Sequence, residues 1–272
     1  MADGSKAWSG PVQRVPGTPG PPSTGWRAIV LCDHAANTVP PGITLGIEAA
    51  DMARHIAWDP GARGTVLALA GLLGAPAVLT TFSRLVIDPN RGEDDPTLVM
   101  RLYDGTIIPG NRAVDDAVVA ERLEAYHRPY HHAIDSVIDE VLAAGEVPVL
   151  ISIHSFTPQL KGRHLRPWQT GLLYGPDLRV AEPLYRALEA LGPGPDGAAP
   201  IVGDNQPYTG ALEGDCMWRH GTARGIANVL VEIRNDLIAT EAMQGAWAAH
   251  LDRALRVALP PACAGLLAPS PA

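Results

Sequence analysis

Cysteine is scarce in this sequence, because Cys32, Cys216 and Cys263 are odd in number, widely spaced and form no CxxC pair. That arrangement excludes a disulfide framework and favours a reducing compartment, so we expect a cytoplasmic protein. Long hydrophobic runs are also missing, since none reaches the roughly 18 residues that a transmembrane helix needs. The first 25 residues lack the apolar core of a signal peptide. We therefore expect no membrane association.

Aromatic residues make up only 5% of the chain, and acidic residues outnumber basic ones. The scarcity of aromatics predicts a core built mainly from Ala, Val, Leu and Ile. The apolar fraction of 46% is typical of a globular chain. The formal net charge is −8. Because nucleic-acid binding depends on neutralising phosphates with positive charge, this balance argues against a nucleic-acid partner.

Composition divides the 272 residues into three parts. Residues 1–25 are rich in Gly, Pro and Ser, and we expect a flexible leader there. Residues 260–272 are rich in Pro and Ala, which predicts a flexible tail. The segment 26–259 carries the hydrophobic patterning and is predicted to form one folded domain.

Apolar runs alternate with helical patterns along this domain. Buried strands are predicted at residues 27–32, 77–80, 85–87, 147–153, 171–174 and 227–233. Helices are predicted at residues 46–56, 59–73, 115–144, 179–191 and 236–258, with Asp59 as N-cap and Pro60 in the first turn of the second. The alternation predicts a single-domain, three-layer α/β/α fold with a mainly parallel mixed sheet. Sites in such folds gather at the carboxyl ends of strands.

Polar residues stand at the ends of three predicted strands. His34 and His154 follow two of them, and Glu232 lies near the end of a third. A glutamate inside an apolar strand is costly unless it is paired or functional. Two imidazoles and a carboxylate brought together suit a zinc site, but each residue also has an ordinary structural alternative. The residues alone therefore leave a metal hydrolase as one option among several.

A set of sequence blocks resembles the N-formylglutamate amidohydrolase family. The blocks, in chain order, are LCDHAANTVP (31–40), HIAWDPGA (55–62), SR (83–84) with DPNR (88–91), YHRPYH (126–131), SIHSFTP (152–158), GDNQPY (203–208) and VEIRND (231–236). They cover about residues 28–237, and although each is short, the ordered set is specific. The resemblance is closest to a branch of predicted amidohydrolases, in which a glutamate is expected where Asp33 stands.

This family is similar to zinc exopeptidases and zinc-dependent cell-wall amidases. The resemblance therefore implies that fold, one zinc ion and hydrolysis of a small N-acyl amino acid, most directly N-formyl-L-glutamate. The order of the motifs implies His34 and His154 as metal ligands. It also implies Glu232 as the catalytic base on a strand that continues to Arg234.

The third metal ligand in related enzymes is acidic and has two usual places in the sequence. Asn37 occupies one of these places and is a poor zinc ligand. Asp59 occupies the other, so we expect Asp59 to complete the set, with Asn37 and Asp33 as the alternatives. The competing interpretation of Asp59 is a simple helix cap.

Substrate contacts are implied by the same resemblance. Asn90 and Arg91 resemble the pair that grips a substrate carboxylate, for which the planar guanidinium offers two parallel hydrogen bonds. Arg84 is a further candidate, as is Arg234. Asn205 and Tyr208 are expected to line the pocket, although Asn and Pro residues there are equally typical of a turn.

Other histidines are less strongly indicated as site residues. His127, Arg128 and His132 are expected on a solvated helix face. His131 and His220 are secondary candidates for a place near the site.

Two other functions fit the same residues. One is a carboxypeptidase, or a deacylase of another N-acyl amino acid, on the same scaffold. The other is a non-catalytic binding protein that retains the fold. The sequence leaves the acyl group, the amino acid and the oligomeric state open, and a homo-oligomer is compatible with it.

Overall fold

The computed structural model describes residues 8–18 and 25–263, with side-chain burial to residue 259. Its strands are β1 (Val12–Val15), β2 (Trp26–Cys32), β3 (Ala77–Thr80), β4 (Leu102–Tyr103), β5 (Thr106–Ile107), β6 (Val147–Phe156), β7 (Thr170–Leu173), β8 (Val202–Asp204) and β9 (Ala227–Arg234). The main sheet has seven strands in the order β1-β3-β2-β6-β9-β7-β8, and β4 and β5 form a separate hairpin. Only β1 on β3 and β7 on β9 pair antiparallel within the described part of this sheet. The predicted mainly parallel mixed sheet is confirmed.

The helices of the described residues are α1 (Ala49–Met52), α2 (Ala62–Leu73), α3 (Asp116–Arg122), α4 (Arg128–Ala143), α5 (Ala181–Ala190), α6 (Cys216–His220) and α7 (Glu241–Cys263). The longer ones cover both faces of the sheet. Strand side chains alternate between two cores, as the two-residue period requires. Val30 and Ile151 pack with α2, α5 and α7, whereas Leu31 and Leu150 pack with α4. This gives the predicted three-layer α/β/α arrangement.

The predicted strand at residues 85–87 is wrong. Leu85, Val86 and Ile87 are completely buried, but Leu85 and Val86 lie in a turn, which Ile87 directly follows, and the Val86 amide donates to the Ser83 carbonyl. They fill two satellite cores beside the sheet instead of joining it. A short apolar run signals burial, and it does not by itself distinguish a strand from a buried turn.

Several helix boundaries differ from the predicted ones. Only Ala49–Met52 of the predicted helix 46–56 is helical, and the last helix starts at Glu241 after a 3₁₀ turn at Asn235–Ile238. The predicted helix 115–144 is interrupted by a π-helical turn at Leu123–His127, just before Pro129. Proline lacks the N–H that a regular α-helix would use at that point, which is a physical reason for the interruption.

The start of α2 corrects the prediction for Asp59. The N-cap is Gly61, in the left-handed conformation with φ 83°, and Asp59 provides only a backbone carbonyl to the Ala62 amide. A Cβ at Gly61 would lie 2.2 Å from the Ile238 carbonyl oxygen, so the turn requires glycine. The Asp59 side chain is thereby free for another role.

Parts of the predicted leader and tail belong to a β-strand and an α-helix. Val12–Val15 forms β1 and pairs with β3, and α7 continues to Cys263. The remaining parts of these two predictions, residues 1–7, 19–24 and 264–272, lie outside the described residues. Among the helices of residues 8–18 and 25–263, none combines the length and hydropathy needed to cross a bilayer.

Candidate active site

The carboxyl edge of the sheet gathers the polar residues that the sequence singled out. His34 follows β2, while His154 lies within β6 and Glu232 within β9. All three side chains are buried and line one cavity of about 410 Å³. The parallel strands thus bring together residues that are far apart in the chain.

His34, Asp59 and His154 form a group that could hold a metal ion. One ligand atom of each lies within 4.8 Å of the others. The Asp59 carboxylate is 2.9 Å from His154 Nδ1 and 3.4 Å from His34 Nδ1. His34 Nδ1 is buried and has no hydrogen-bond partner in the described part of the chain. Two imidazole nitrogens and a carboxylate oxygen are an ordinary ligand set for zinc.

Two further carboxylates orient the imidazoles from behind. His34 Nε2 lies 2.7 Å from Asp88 Oδ1, and His154 Nε2 lies 2.7 Å from Asp33 Oδ2. In the neutral form of each ring, a carboxylate that accepts a hydrogen bond from Nε2–H leaves the lone pair on Nδ1, on the side of Asp59. This carboxylate–histidine arrangement is the one that orients metal-ligating histidines in proteins.

The charge balance of this cluster also suits a cation. Burial alone would raise the pKa values of Asp33 and Asp59, but His34 and His154 hold both well below the usual range. Burial would likewise raise the pKa of Asp88, but the charge of Arg84 holds that pKa well below the usual range. With neutral imidazoles, three buried carboxylates face one guanidinium, which leaves two negative charges for a divalent ion to offset.

Without a metal ion, a proton on His154 offsets part of the negative charge of the cluster. Burial would lower its pKa, but hydrogen bonds and charge from Asp33 and Asp59 raise it well above the usual range. His154 is then an imidazolium between two carboxylates. Because metal binding needs the neutral ring, an incoming cation would replace that proton.

The two alternatives for a third ligand point elsewhere. The Asn37 amide donates to the Met52 carbonyl at 2.9 Å. Asp33 contacts the Nε2 side of His154 and accepts from the Tyr130 hydroxyl at 2.6 Å. The geometry therefore favours Asp59 over both.

Glu232 lies in the same cavity, and its carboxyl group has a raised pKa. The side chain is buried, and its Oε2 has no hydrogen-bond partner among the described residues. Burial raises the pKa of Glu232 to about 7, with opposing effects from the surrounding charges. A carboxyl group that titrates near neutral pH can both accept and donate a proton during catalysis.

The expected substrate contacts divide into those that reach the cavity and those that do not. Asn90, Arg91, Arg84 and Tyr208 line it. Arg91 Nε is buried without a partner in the described residues, whereas Arg84 already donates to Asp88 at 2.6 and 3.0 Å. Arg91 is thus the guanidinium with a nitrogen left for a ligand.

Arg234 and Asn205 do not belong to the cavity lining, contrary to expectation. Arg234 Nε donates to Asp236 at 2.8 Å, so its charge is satisfied outside the cavity. Asn205 adopts φ 49°, and its Oδ1 accepts from the Tyr174 and Gly210 amides, which makes it a turn residue. Alternate residues of a strand face opposite sides, but sequence alone does not tell where a long arginine ends.

Among the cavity residues that received no role from the sequence are His55 and Asp215. His55 opens the HIAWDPGA block four residues before Asp59, so its place in the block was a usable signal. Asp215 caps α6 by accepting from the Trp218 amide at 2.7 Å, and burial raises its pKa to about 6. No local pattern distinguishes Asp215 from an ordinary cap. The expectation for His127 is also wrong, because that side chain is completely buried.

The buried cavity lies at the carboxyl edge of a three-layer α/β/α fold, and the family match defines the protein as a hydrolase acting on amides. More narrowly, the family model for N-formylglutamate amidohydrolase matches residues 26–239, and the chain belongs to that family.

Two solved structures are similar to this chain over most of its length. A gene product from Agrobacterium tumefaciens is 33% identical with a TM-score of 0.81, over 92% of this chain and 95% of that one. The N-formylglutamate amidohydrolase from Ralstonia eutropha is 19% identical with a TM-score of 0.65, over 92% of this chain and 98% of that one, and at this identity it shows the shared fold. No curated protein matches the chain significantly.

Proposed function

We propose that this protein is a zinc-dependent amidohydrolase that cleaves a small N-acyl amino acid, with N-formyl-L-glutamate as the first candidate. The products would then be formate and L-glutamate. Family membership supports the class of reaction. The buried His34–Asp59–His154 cluster is the observation that carries the metal requirement.

Zinc fits these residues because their donor atoms and their environment both suit it. The three side chains would fill three tetrahedral positions and leave the fourth for solvent or substrate. When bound, the ion would lower the pKa of a water molecule and polarise the amide carbonyl. Asp33 and Asp88 would hold the two imidazoles in the ligating orientation.

Glu232 is proposed as the proton carrier. It would take a proton from the attacking water as the new carbon–oxygen bond forms. It would then give that proton to the nitrogen of the amide as the carbon–nitrogen bond breaks. Burial supports this role, since the raised pKa places both protonation states within reach near neutral pH.

Arg91 is proposed to bind a carboxylate of the substrate. Its buried Nε lacks a partner among the described residues, and a buried guanidinium nitrogen is stabilised by an anionic ligand. Asn90 is held beside it, because its Oδ1 accepts from the Cys216 amide at 3.1 Å. A cavity of about 410 Å³ fits a small acyl amino acid.

We further propose a cytoplasmic location. Cys32 and Cys216 are both buried free thiols, which is consistent with a reducing compartment.

The test is a substrate panel with metal-depleted and zinc-reconstituted protein. The panel should contain N-formyl-L-glutamate, N-formyl-L-aspartate, N-acetyl-L-glutamate, N-succinyl-L-glutamate and short peptides ending in glutamate. We expect zinc-dependent release of formate and glutamate from the first compound. Preferred cleavage of another amide would replace the substrate assignment, and the absence of turnover with bound zinc would contradict the enzymatic proposal.

A further inference from the structure

A second group of ligand-type side chains lies on the other side of Asp33, outside the cavity lining. His131 belongs to α4, and Cys216 and His220 are the two ends of α6. All three are buried, and one ligand atom of each lies within 4.8 Å of the others. None of them has a part in the proposed hydrolysis.

The hydrogen bonds of this group place the lone pair of His220 on the side of His131. His220 Nδ1 lies 3.0 Å from Asp135 Oδ1, which also accepts from Arg224. Asp135 therefore accepts a hydrogen bond from Nδ1–H and leaves the lone pair on His220 Nε2, which accepts from His131 Nδ1–H at 2.8 Å. This repeats the carboxylate–histidine arrangement seen for His34 and His154.

His131 has one nitrogen more than its hydrogen bonds account for. Its Nδ1 faces His220, while Nε2 is buried with no partner in the described part of the chain. Burial, together with the neighbouring His127 and His220, lowers the pKa of His131 well below the usual range. The ring is neutral, which is the form that binds a metal ion.

Cys216 provides the third ligand atom of this group, its Sγ. Burial raises the pKa of its thiol, and the nearby Asp33 carboxylate raises it further, so the metal-free thiol is protonated. The charged groups near these three side chains also include Asp135, Asp215, Arg219 and Arg224. A cation would therefore displace the thiol proton, as it does at thiolate sites generally.

We propose that His131, Cys216 and His220 bind a second metal ion, and that this ion is structural zinc. Two imidazoles and one thiolate suit zinc and would fill three of its four tetrahedral positions. The ion would tie α4 to α6. Through the Cys216 amide and the preceding Asp215, it would also hold the cavity wall that contains Asn90.

Cobalt substitution tests the proposal independently of catalysis. The metal-depleted protein is dialysed against Co²⁺, and bound metal and the near-ultraviolet thiolate-to-cobalt band are measured. The wild-type protein should bind two equivalents and show the band. One equivalent without the band would overturn the proposal and leave the group as a hydrogen-bonded histidine pair.

Substitutions of individual residues test whether the thiolate-to-cobalt band comes from Cys216. Cys216→Ser and His220→Gln should each lose one equivalent, and Cys216→Ser should abolish the band. Cys32→Ser is the matched control, because it removes another fully buried thiol and should keep both equivalents and the band. A band that survives Cys216→Ser would contradict the assignment.

A variant of the other centre separates this proposal from the proposed function. His154→Ala should lose one equivalent and the activity but keep the thiolate band. If the band disappears with His154→Ala and not with Cys216→Ser, the second site does not exist as described. Far-ultraviolet circular dichroism confirms that each variant is folded.

Discussion

His154 and Glu232 are register partners on the adjacent parallel strands β6 and β9. Neighbouring strands lie about 4.8 Å apart, and partnered residues in a parallel pair face the same side of the sheet. The proposed ligand and the proposed base are therefore spaced by the sheet itself. A site built on central strands keeps its geometry better than one built on loops.

Glu232→Gln should remove the proton carrier while leaving the ligand group intact. We expect kcat to fall by about 100- to 10,000-fold, the usual contribution of a general acid–base residue, with zinc content near the wild-type value. Steady-state kinetics and elemental analysis check this. Glu121→Gln, an exposed residue in α3, is the control and should retain full activity. Loss of zinc together with activity would assign Glu232 to the metal instead.

Asp88→Asn should weaken metal binding without removing a ligand. His34 would lose the carboxylate that fixes its orientation, and we expect the zinc dissociation constant to rise about 10- to 100-fold. Competition with a chelating dye measures this constant. Asp94→Asn, at an exposed position nearby, should leave it unchanged. Equal affinity in the two variants would rule out the orienting role.

Arg91→Ala should raise KM much more than it lowers kcat. Loss of a charge-assisted hydrogen bond from a buried guanidinium typically costs about 1.5–3 kcal/mol, which is about 10- to 150-fold in kcat/KM. Arg91→Lys should recover only part of this, since an ammonium lacks the planar fork. Arg112→Ala, which changes an exposed arginine, serves as the control. Unchanged KM in Arg91→Ala would remove Arg91 from the binding role.

The pKa of Glu232 predicts a pH-dependent stability difference in the metal-free protein. Its folded value of about 7 lies above the ordinary 4.5, so folding favours the protonated form. This stabilising contribution is complete below pH 4.5 and is lost as pH rises through 7. Relative to Glu232→Gln, the wild-type free energy of unfolding should drop by up to about 3 kcal/mol across this window.

Urea unfolding of both metal-free proteins at about pH 5 and pH 8 measures that difference. The comparison with Gln cancels the titration of the aspartates and histidines that the two proteins share. A parallel pH dependence in both proteins would mean that Glu232 titrates as an ordinary carboxylate.

The sequence alone determined the layers of this protein. Apolar runs such as 147–153 and 227–233 identify buried strands, because a parallel strand covered on both faces must be apolar throughout. The polar residues His34, His154 and Glu232 stood out against those runs for the same reason. The ordered motifs then predicted the family, which the comparison confirms.

Tertiary structure alone decided which side chains meet. Asp88 is 54 residues from His34, and Asp33 is 121 residues from His154, so no local period relates the members of either pair. The same holds for His131 and Cys216, which meet through the packing of two helices. Local patterns encode which face of an element is buried. Contacts between carboxylates, imidazoles and thiols that are far apart in the sequence form only in the folded tertiary structure.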